Sequence, residues 1–345
     1  MEPNHRCHYL LKPIDIDELK DAVEKAAKYI KLNKNENNRN ESLKNLANDL
    51  TNRSSIKKIT IPNGQGYRLV DIDTLIAYYN REITLTNACH ITVDDGDQTF
   101  YNIIYPILKK HQVPASLYVS PKVFKEKVNY WFQEVEGYHT DTLKKIIANQ
   151  TKVAVENLAN YDVFTILKSF KIDEIHQFLA LYRAETKTPL KPYQNMTIEQ
   201  LKEVEASGLI TIGAHTMNHP ILMNENDESS AYEINNSVKE LNEILGYQIK
   251  CFSYPNGIYK YDFDEREQNL LIKNDIKICF STIAKNFNVD NNTMRVPRIG
   301  VSNNEKMLFL DIKLFLGSSW DFLKKIKSTG EYKQRKQLQI LFNGK

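Results

Sequence analysis

The chain is poor in cysteine: Cys7, Cys89, Cys251 and Cys279 are scattered over 345 residues with no CxxC pair. That scatter argues against a disulfide scaffold and a cysteine-built zinc site, and it fits a reducing compartment. Long apolar runs are missing as well. No stretch approaches the roughly 18 consecutive apolar residues of a membrane-spanning helix. The opening Met1-Glu2-Pro3-Asn4-His5-Arg6 lacks the apolar centre of a secretory signal. The expectation is therefore a cytoplasmic protein without a membrane segment. Charge of one sign is not in excess either. The 46 Lys and Arg against 43 Asp and Glu leave a net +3, which by itself gives no nucleic-acid or membrane signal. What remains, 41% hydrophobic and 26% charged residues, is the balance of an ordinary globular protein. Its length implies two domains, or one large α/β unit with appendages. Nothing in the composition fixes an oligomeric state.

The first third is fragmentary. Tyr9-Leu10-Leu11 meets a Lys12-Pro13 turn, and Leu19, Ala22, Val23, Ala26, Ala27 and Ile30 then keep helical spacing from about Asp17 to Lys31. Residues 1–32 resemble the C-terminal end of a response-regulator receiver domain, but the strand bearing its phospho-accepting aspartate is absent. Residues 33–55 are rich in Asn, Lys, Glu and Ser and predict a linker. From Lys57 to Asp73, two alternating runs flank Pro62-Asn63-Gly64 and predict a hairpin. Residues 56–80 are similar to the opening of a LytTR-type DNA-binding domain. A remnant of such a regulator is one functional reading. However, the DNA-contacting part is missing and no clustered Lys/Arg surface is evident, so no nucleic-acid partner is expected. The arm through residue 80 is expected to stay outside the core of the larger domain that begins near residue 83.

From about Ile83 the character changes. In His90-Ile91-Thr92-Val93-Asp94-Asp95-Gly96-Asp97 an apolar, β-branched run ends in two carboxylates and a glycine. This reads as a buried strand with an acidic tip. Neighbouring side chains on a strand face opposite ways, so Asp94 and Asp95 can hold different jobs only where the strand ends. Alone, the run is also what a solvated Asp-Asp-Gly turn looks like. A predicted helix (Phe100 to Gln112, with Ile103, Ile104, Ile107 and Leu108 inward) and a strand (Val113 to Val119) complete a parallel βαβ unit. Residues 122–205 are helical in pattern, with predicted helices at Val123–Glu134, Asp141–Ala148, Val163–Leu167, Ile172–Arg183 and Ile198–Ala206. They form an insertion. The βα rhythm resumes with Leu209–Ala214, ending at His215-Thr216-Met217-Asn218-His219. It continues through a helix (Ser229–Leu245), the strand Ile249–Tyr254 capped by Pro255-Asn256-Gly257, a helix (Asp264–Asn274) and the strand Ile278–Thr282. The three chemical clusters all stand at strand ends, where α/β barrels and open sheets place their chemistry. Two histidines four apart are commonly one face of a surface helix. Here Gly213 and Pro220 bracket the pair and argue against a long helix.

Those three clusters carry a resemblance. Thr92-Val93-Asp94-Asp95-Gly96, His215-Thr216-Met217-Asn218-His219 and a weakened Ser253-Tyr254-Pro255-Asn256-Gly257 are similar to the three leading motifs of the polysaccharide deacetylase (NodB-homology, carbohydrate esterase family four) family. The resemblance covers about residues 83–305 and implies a distorted (β/α) barrel; the residue pattern adds the helical insertion (122–205), the N-terminal arm and an expected C-terminal helical tail (306–345). The resemblance also implies a metal-dependent hydrolase that removes N-acetyl or other acyl groups from the amino sugars of a polysaccharide. Asp95, His215 and His219 would hold Zn2+, or another divalent metal such as Co2+ or Ni2+, with a position left for water. Asp94 would be the general base. The backbone N–H of Asn256, where the family has tyrosine, would face the tetrahedral oxyanion. The partner is then a glycan with N-acetylated amino sugars.

Two departures from the family pattern matter. Ser253 stands where the third motif carries an arginine that orients the base, and Arg298, in Val296-Pro297-Arg298-Ile299, is the candidate substitute. No histidine follows His219, so the histidine that serves the family as general acid is missing. A catalytically inactive, glycan-binding member of the fold is therefore an alternative. Tyr130, Trp131 and Phe132 are read as core, or as the wall of a sugar groove.

Overall fold

The structure, a computed structural model, describes residues 58–60, 66–300 and 318–343. The predicted receiver-like fragment and linker lie outside the described residues. The molecule is built on five parallel strands, β4 (Ile91–Asp94), β5 (Ala115–Val119), β6 (Ile210–Ala214), β7 (Cys251–Ser253) and β8 (Ile278–Phe280), in that spatial order. Short β-branched and aromatic runs suit strands covered on both faces, and every residue of β5, β7 and β8 is buried. Parallel neighbours need crossovers. They are supplied by α2 (Tyr105–His111) after β4, α9 (Asp227–Leu245) after β6 and α10 (Glu265–Lys273) after β7.

Strand order follows chain order, and the sheet rolls up. Rings from its first, second and last strands meet inside it. His90, just ahead of β4, stacks on Phe280 of β8 at 5.9 Å, and Tyr118 of β5 lies 5.6 Å from the same ring. No ladder joins β4 to β8 among the described residues. The gap is spanned by residues 294–298: Val296 N–H donates to Cys279 C=O and Ser281 N–H to Val296 C=O, both at 2.8 Å. The result is the expected distorted barrel, closed on one side by irregular chain.

The helix expected over Phe100–Gln112 begins differently. Its first turn, Phe100–Ile104, is a π turn, with Tyr105 N–H donating to Phe100 C=O. Pro106, inside the first turn of α2, has no N–H to give the residue four back, so the wider turn costs less there. The shifted frame buries Phe100, Tyr105 and Leu108 and leaves Ile103, Ile104 and Ile107 half-buried. The insertion holds α3 (Pro121–Glu126), α4 (Trp131–Val135), α5 (Thr140–Thr151), α6 (Val163–Leu167), α7 (Ile172–Thr186) and α8 (Ile198–Ala206). The single helix expected from Val123 to Glu134 is two, because Lys127 adopts a left-handed conformation (φ 51°) that ends α3.

The arm departs from expectation. β1 (Lys58–Thr60) and β2 (Gly66–Leu69) form the predicted hairpin with Ile59 opposite Tyr67. Yet β2 also pairs in parallel with β3 (Ala88–Cys89), directly ahead of β4. Helix α1 (Ile72–Tyr79) starts at Asp71, whose side chain accepts the Thr74 N–H at 2.8 Å. Its apolar stripe, Ile72, Leu75 and Tyr79, shares one buried cluster with Tyr118, Cys251, Ile278, Phe280 and Val296. Residues 72–79 thus belong to the barrel's own core. The pattern of residues does not reveal this, because a stripe of three fixes a helix's buried face without naming its partner. At the other end of the chain, α11 (Ser318–Asn343) returns to the insertion and to the loop after β7. Leu338 is buried, Phe342 lies 4.5 Å from Phe170, and Arg335 meets Asp262 at 2.7 Å with both side chains buried. No described helix is long and apolar enough to cross a membrane.

If α1 is core, Leu75→Ala removes a fully buried side chain facing the sheet. Its expected cost is about 2–5 kcal/mol in urea unfolding with an unchanged m-value. A loss under about 0.5 kcal/mol, the ordinary level for a surface change, would show that the helix is only laid against the barrel.

Candidate metal centre

At the tip of β4 the chain passes through two consecutive left-handed residues, Asp95 (φ 73°) and Gly96 (φ 68°). Only glycine fits the second, since a Cβ there would come within 2.7 Å of the Phe124 ring and 2.9 Å of Val119. Asp95 is strained in this geometry, and its surroundings hold it. Tyr130 Oη donates to its carbonyl at 2.9 Å, and Met196 N–H donates to the Gly96 carbonyl at 3.0 Å. The turn swings Asp95 towards the end of β6, where its Oδ1 lies 3.7 Å from Nε2 of both His215 and His219. One ligand atom from each of the three residues can be chosen so that all lie within 4.8 Å of one another.

Each histidine is presented by backbone chemistry. His215 Nδ1 sits 2.6 Å from the Ser253 carbonyl. A carbonyl only accepts, so Nδ1 carries the proton and the Nε2 lone pair faces Asp95. The segment to His219 is no helix: Thr216 (φ 63°) and His219 (φ 56°) are both left-handed. Thr216 Oγ1 accepts the His219 N–H at 3.0 Å, and Trp131 Nε1 donates to the His219 carbonyl at 3.0 Å. Phe132 and Tyr130 pack edge-on to the His219 ring at 4.9 and 5.7 Å. The aromatic trio of α4 and its cap is buried and walls the candidate site. Sequence reasoning missed Glu233 of α9, whose carboxylate accepts N–H groups from Met217 and Asn218. The available signal was a glutamate beside Ile234 on the helix's buried face.

Asp94 points elsewhere. Arg298 grips it bidentately, Nη1 to Oδ1 and Nη2 to Oδ2, both at 2.9 Å. Arg298 also donates to Thr92 Oγ1, Ser253 Oγ and the Ser281 carbonyl. Ser253 stands where the family's arginine was expected. It accepts from Arg298 at 2.8 Å and reaches Asp94 Oδ2 at 3.3 Å. Burial alone would raise the Asp94 pKa, but the Arg298 charge, His215 and these hydrogen bonds bring it down to about 2. The Asp94 side chain remains 28% exposed, so the gripped carboxylate still reaches solvent. Asn256 (φ 58°) lies on the loop after β7, three residues from Ser253, and its carbonyl accepts from Thr282 Oγ1 at 2.6 Å. The structure therefore brings Asp95, His215 and His219 together, sets Asp94 beside them in the grip of Arg298 and places Asn256 on an adjoining turn.

The electrostatics ask for a cation. Burial, then Asp94 and Asp97, push the Asp95 carboxyl well above its usual range. Burial pushes His215 down and His219 well down, so both are neutral imidazoles. Asp95 Oδ1 and His219 Nδ1 are buried without a hydrogen-bond partner. One carboxylate and two neutral imidazoles are the donor set of a zinc-type site with an open position. A 3.7 Å separation lies within twice the roughly 2.0–2.2 Å metal–ligand distance of such sites. The residues present fit a divalent ion.

Comparison with known proteins gives a family profile described as polysaccharide deacetylase, matching residues 82–274. No curated protein matches the chain. Among solved structures, the deacetylase PplD of Streptococcus pyogenes in complex with acetate is similar at 18% identity, over 72% of this chain and 80% of that one, with a TM-score of 0.48. IcaB from Ammonifex degensii is similar at 19% identity, over 72% and 82%, with a TM-score of 0.47. A de-N-acetylase from Aggregatibacter actinomycetemcomitans gives 18%, 72%, 83% and 0.46 in the same order.

One Zn2+ per chain is expected in titration calorimetry. Burial and the neighbouring acids push the Asp95 carboxyl above its usual range in the metal-free chain, so an entering cation competes with a proton there. Affinity should therefore rise with pH until Asp95 is ionised, and the heat should depend on the buffer's ionisation enthalpy. His215→Ala should abolish stoichiometric binding. Full retention in that variant would remove His215 from the ligand set.

Proposed function

The chain belongs to the polysaccharide deacetylase family, and we propose that it hydrolyses N-acetyl or other acyl groups from the amino sugars of a glycan with the help of a divalent ion. The observation that carries the reading is the convergence of Asp95, His215 and His219 beside an Asp94 gripped by Arg298. Zinc is the favoured ion on the donor set, with Co2+ or Ni2+ as substitutes. When bound, it lowers the pKa of a water molecule and polarises the acyl carbonyl.

The chain's own residues do the rest. Arg298 outweighs burial and holds the Asp94 pKa below its usual range, which favours the carboxylate at neutral pH, and that carboxylate accepts the proton of the attacking water. A carboxylate of such low pKa is a weak base, so it depends on a water that is already acidified. Arg298 and Ser253 fix the orientation of the Asp94 carboxylate. The Asn256 N–H is the chain's candidate donor to the tetrahedral oxygen. Collapse breaks the C–N bond, giving a carboxylate product and a free amine, and that amine needs a proton. With no histidine after His219, the proton just taken up by Asp94 is the nearest source. A carboxyl of low pKa gives it up readily. The same missing histidine favours the second reading, a glycan binder without turnover.

Asp94→Asn keeps the side chain's shape and removes the proton acceptor. Zn2+ affinity is expected to survive while acetate release from N-acetylated chito-oligosaccharides falls about 10²-fold or more. An Asn variant as fast as wild type would remove Asp94 from the chemistry. Zn2+ and glycan binding by a wild type that releases no acetate would establish the binder.

A further inference from the structure

His215 and His219 are separated by three residues that do not form a helix, and something other than helical hydrogen bonding must hold them. The holder is a carboxylate from another element. Glu233, on α9 with only 2% of its surface exposed, turns into the concave side of the loop. Its Oε2 accepts the backbone N–H of Met217 at 2.8 Å and of Asn218 at 2.9 Å, and its Oε1 accepts Asn218 Nδ2 at 2.6 Å. Consecutive backbone N–H groups converging on one oxygen form an anion-binding concavity. Such a turn needs left-handed residues, here Thr216 at φ 63° and His219 at φ 56°. A β-branched threonine is a poor occupant of that region and stays there only when its surroundings insist.

From this geometry we infer that Glu233 is a positioning residue for the metal centre, its carboxylate setting the loop so that both Nε2 atoms face Asp95. The inference rests on the metal reading above and extends it to a residue outside the three motifs. Glu233 touches neither histidine side chain. Its effect runs through the backbone: with Met217 and Asn218 pinned, Thr216 Oγ1 stays in reach of the His219 N–H. Without the carboxylate, the Met217 and Asn218 N–H groups and Asn218 Nδ2 no longer share two charged oxygens. A glutamine offers one neutral oxygen and sets an NH2 against another donor, so the buried loop must shift to satisfy its donors. The distance between the two ligands then changes, even in a chain that remains folded.

The experiment is titration of the full chain with Zn2+ alone, together with the visible absorption of the Co2+ form. Glu233→Gln is expected to weaken Zn2+ binding about 10- to 100-fold, the usual effect of losing a partner that orients metal ligands. The Co2+ bands should shift and the far-ultraviolet circular dichroism should not. Asn218→Ala removes only the side-chain donor and leaves the carboxylate in place, so it should weaken binding by a smaller factor. That variant decides the matter if Glu233→Gln does not fold. Wild-type affinity and an unchanged Co2+ spectrum in the folded variants would overturn the positioning role while leaving the metal site standing. A wild type that binds no Zn2+ would remove the metal reading, and this inference with it.

Discussion

The bidentate pair between Arg298 and Asp94 is the interaction on which the rest depends. It joins the irregular segment after β8 to the tip of β4, across the seam where the five-stranded sheet has no ladder. The guanidinium has five donors in a rigid fork. Here they reach both Asp94 oxygens, Thr92, Ser253 and the Ser281 carbonyl. A lysine in that place would offer a point charge and no plane, so it would neither close the barrel nor aim the carboxylate. The pair also keeps Asp94 on the ionised side, and its neighbour Asp95 feels that charge. Two adjacent acids thus live in opposite conditions: one is stabilised as an anion and the other is burdened by burial and like charge.

Around that pair, backbone strain gathers at the strand ends. Asp95, Gly96, Thr216, His219, Asn256 and Gly257 all have positive φ. Each sits in the turn after β4, β6 or β7, and an ordinary turn would carry these side chains past one another. Tyr130, Trp131, Glu233 and Thr282 come from other elements and bond to the turns from outside. Left-handed non-glycine residues are sparsely populated and persist where surroundings over-determine them. The insertion, which supplies Tyr130 and Trp131, is in this sense part of the centre's frame.

The sequence disclosed what is chemically unusual. Asp94-Asp95-Gly96 and His215 to His219 stand out because carboxylates and imidazoles at the ends of apolar strands have few structural uses. The βα alternation was legible from runs such as Leu209–Ala214, and the helix Ile198–Ala206 has its predicted bounds. Arg298 could be named as a candidate but not chosen, since an arginine in a loop looks alike whether it faces water or a buried acid. Glu233 gave only a faint signal, its place beside Ile234, for the converse reason: a glutamate in a helix reads as surface until the fold turns that side inward. The placing of residues 72–79 outside the core was the misreading, because a short stripe of apolar residues names no partner. Ile72, Leu75 and Tyr79 share a buried cluster with Tyr118, Ile278 and Phe280 of the sheet. Pairings between distant segments are the information a one-dimensional pattern does not carry.

The contact between α11 and the loop after β7 bears on the order in which the molecule can be assembled. Asp262 is fully buried, holds the Ile258 N–H at 2.9 Å, and is neutralised by Arg335, which lies 73 residues later and beyond the segment matched to the family. On a ribosome making roughly 5–20 residues per second, all five strands have been made before that guanidinium exists. Until then the loop carries, six residues past Asn256, a carboxylate that lacks its Arg335 partner. The anchoring of the loop that follows the third motif therefore waits for α11, and a nascent chain has its five strands before it has that buried ion pair.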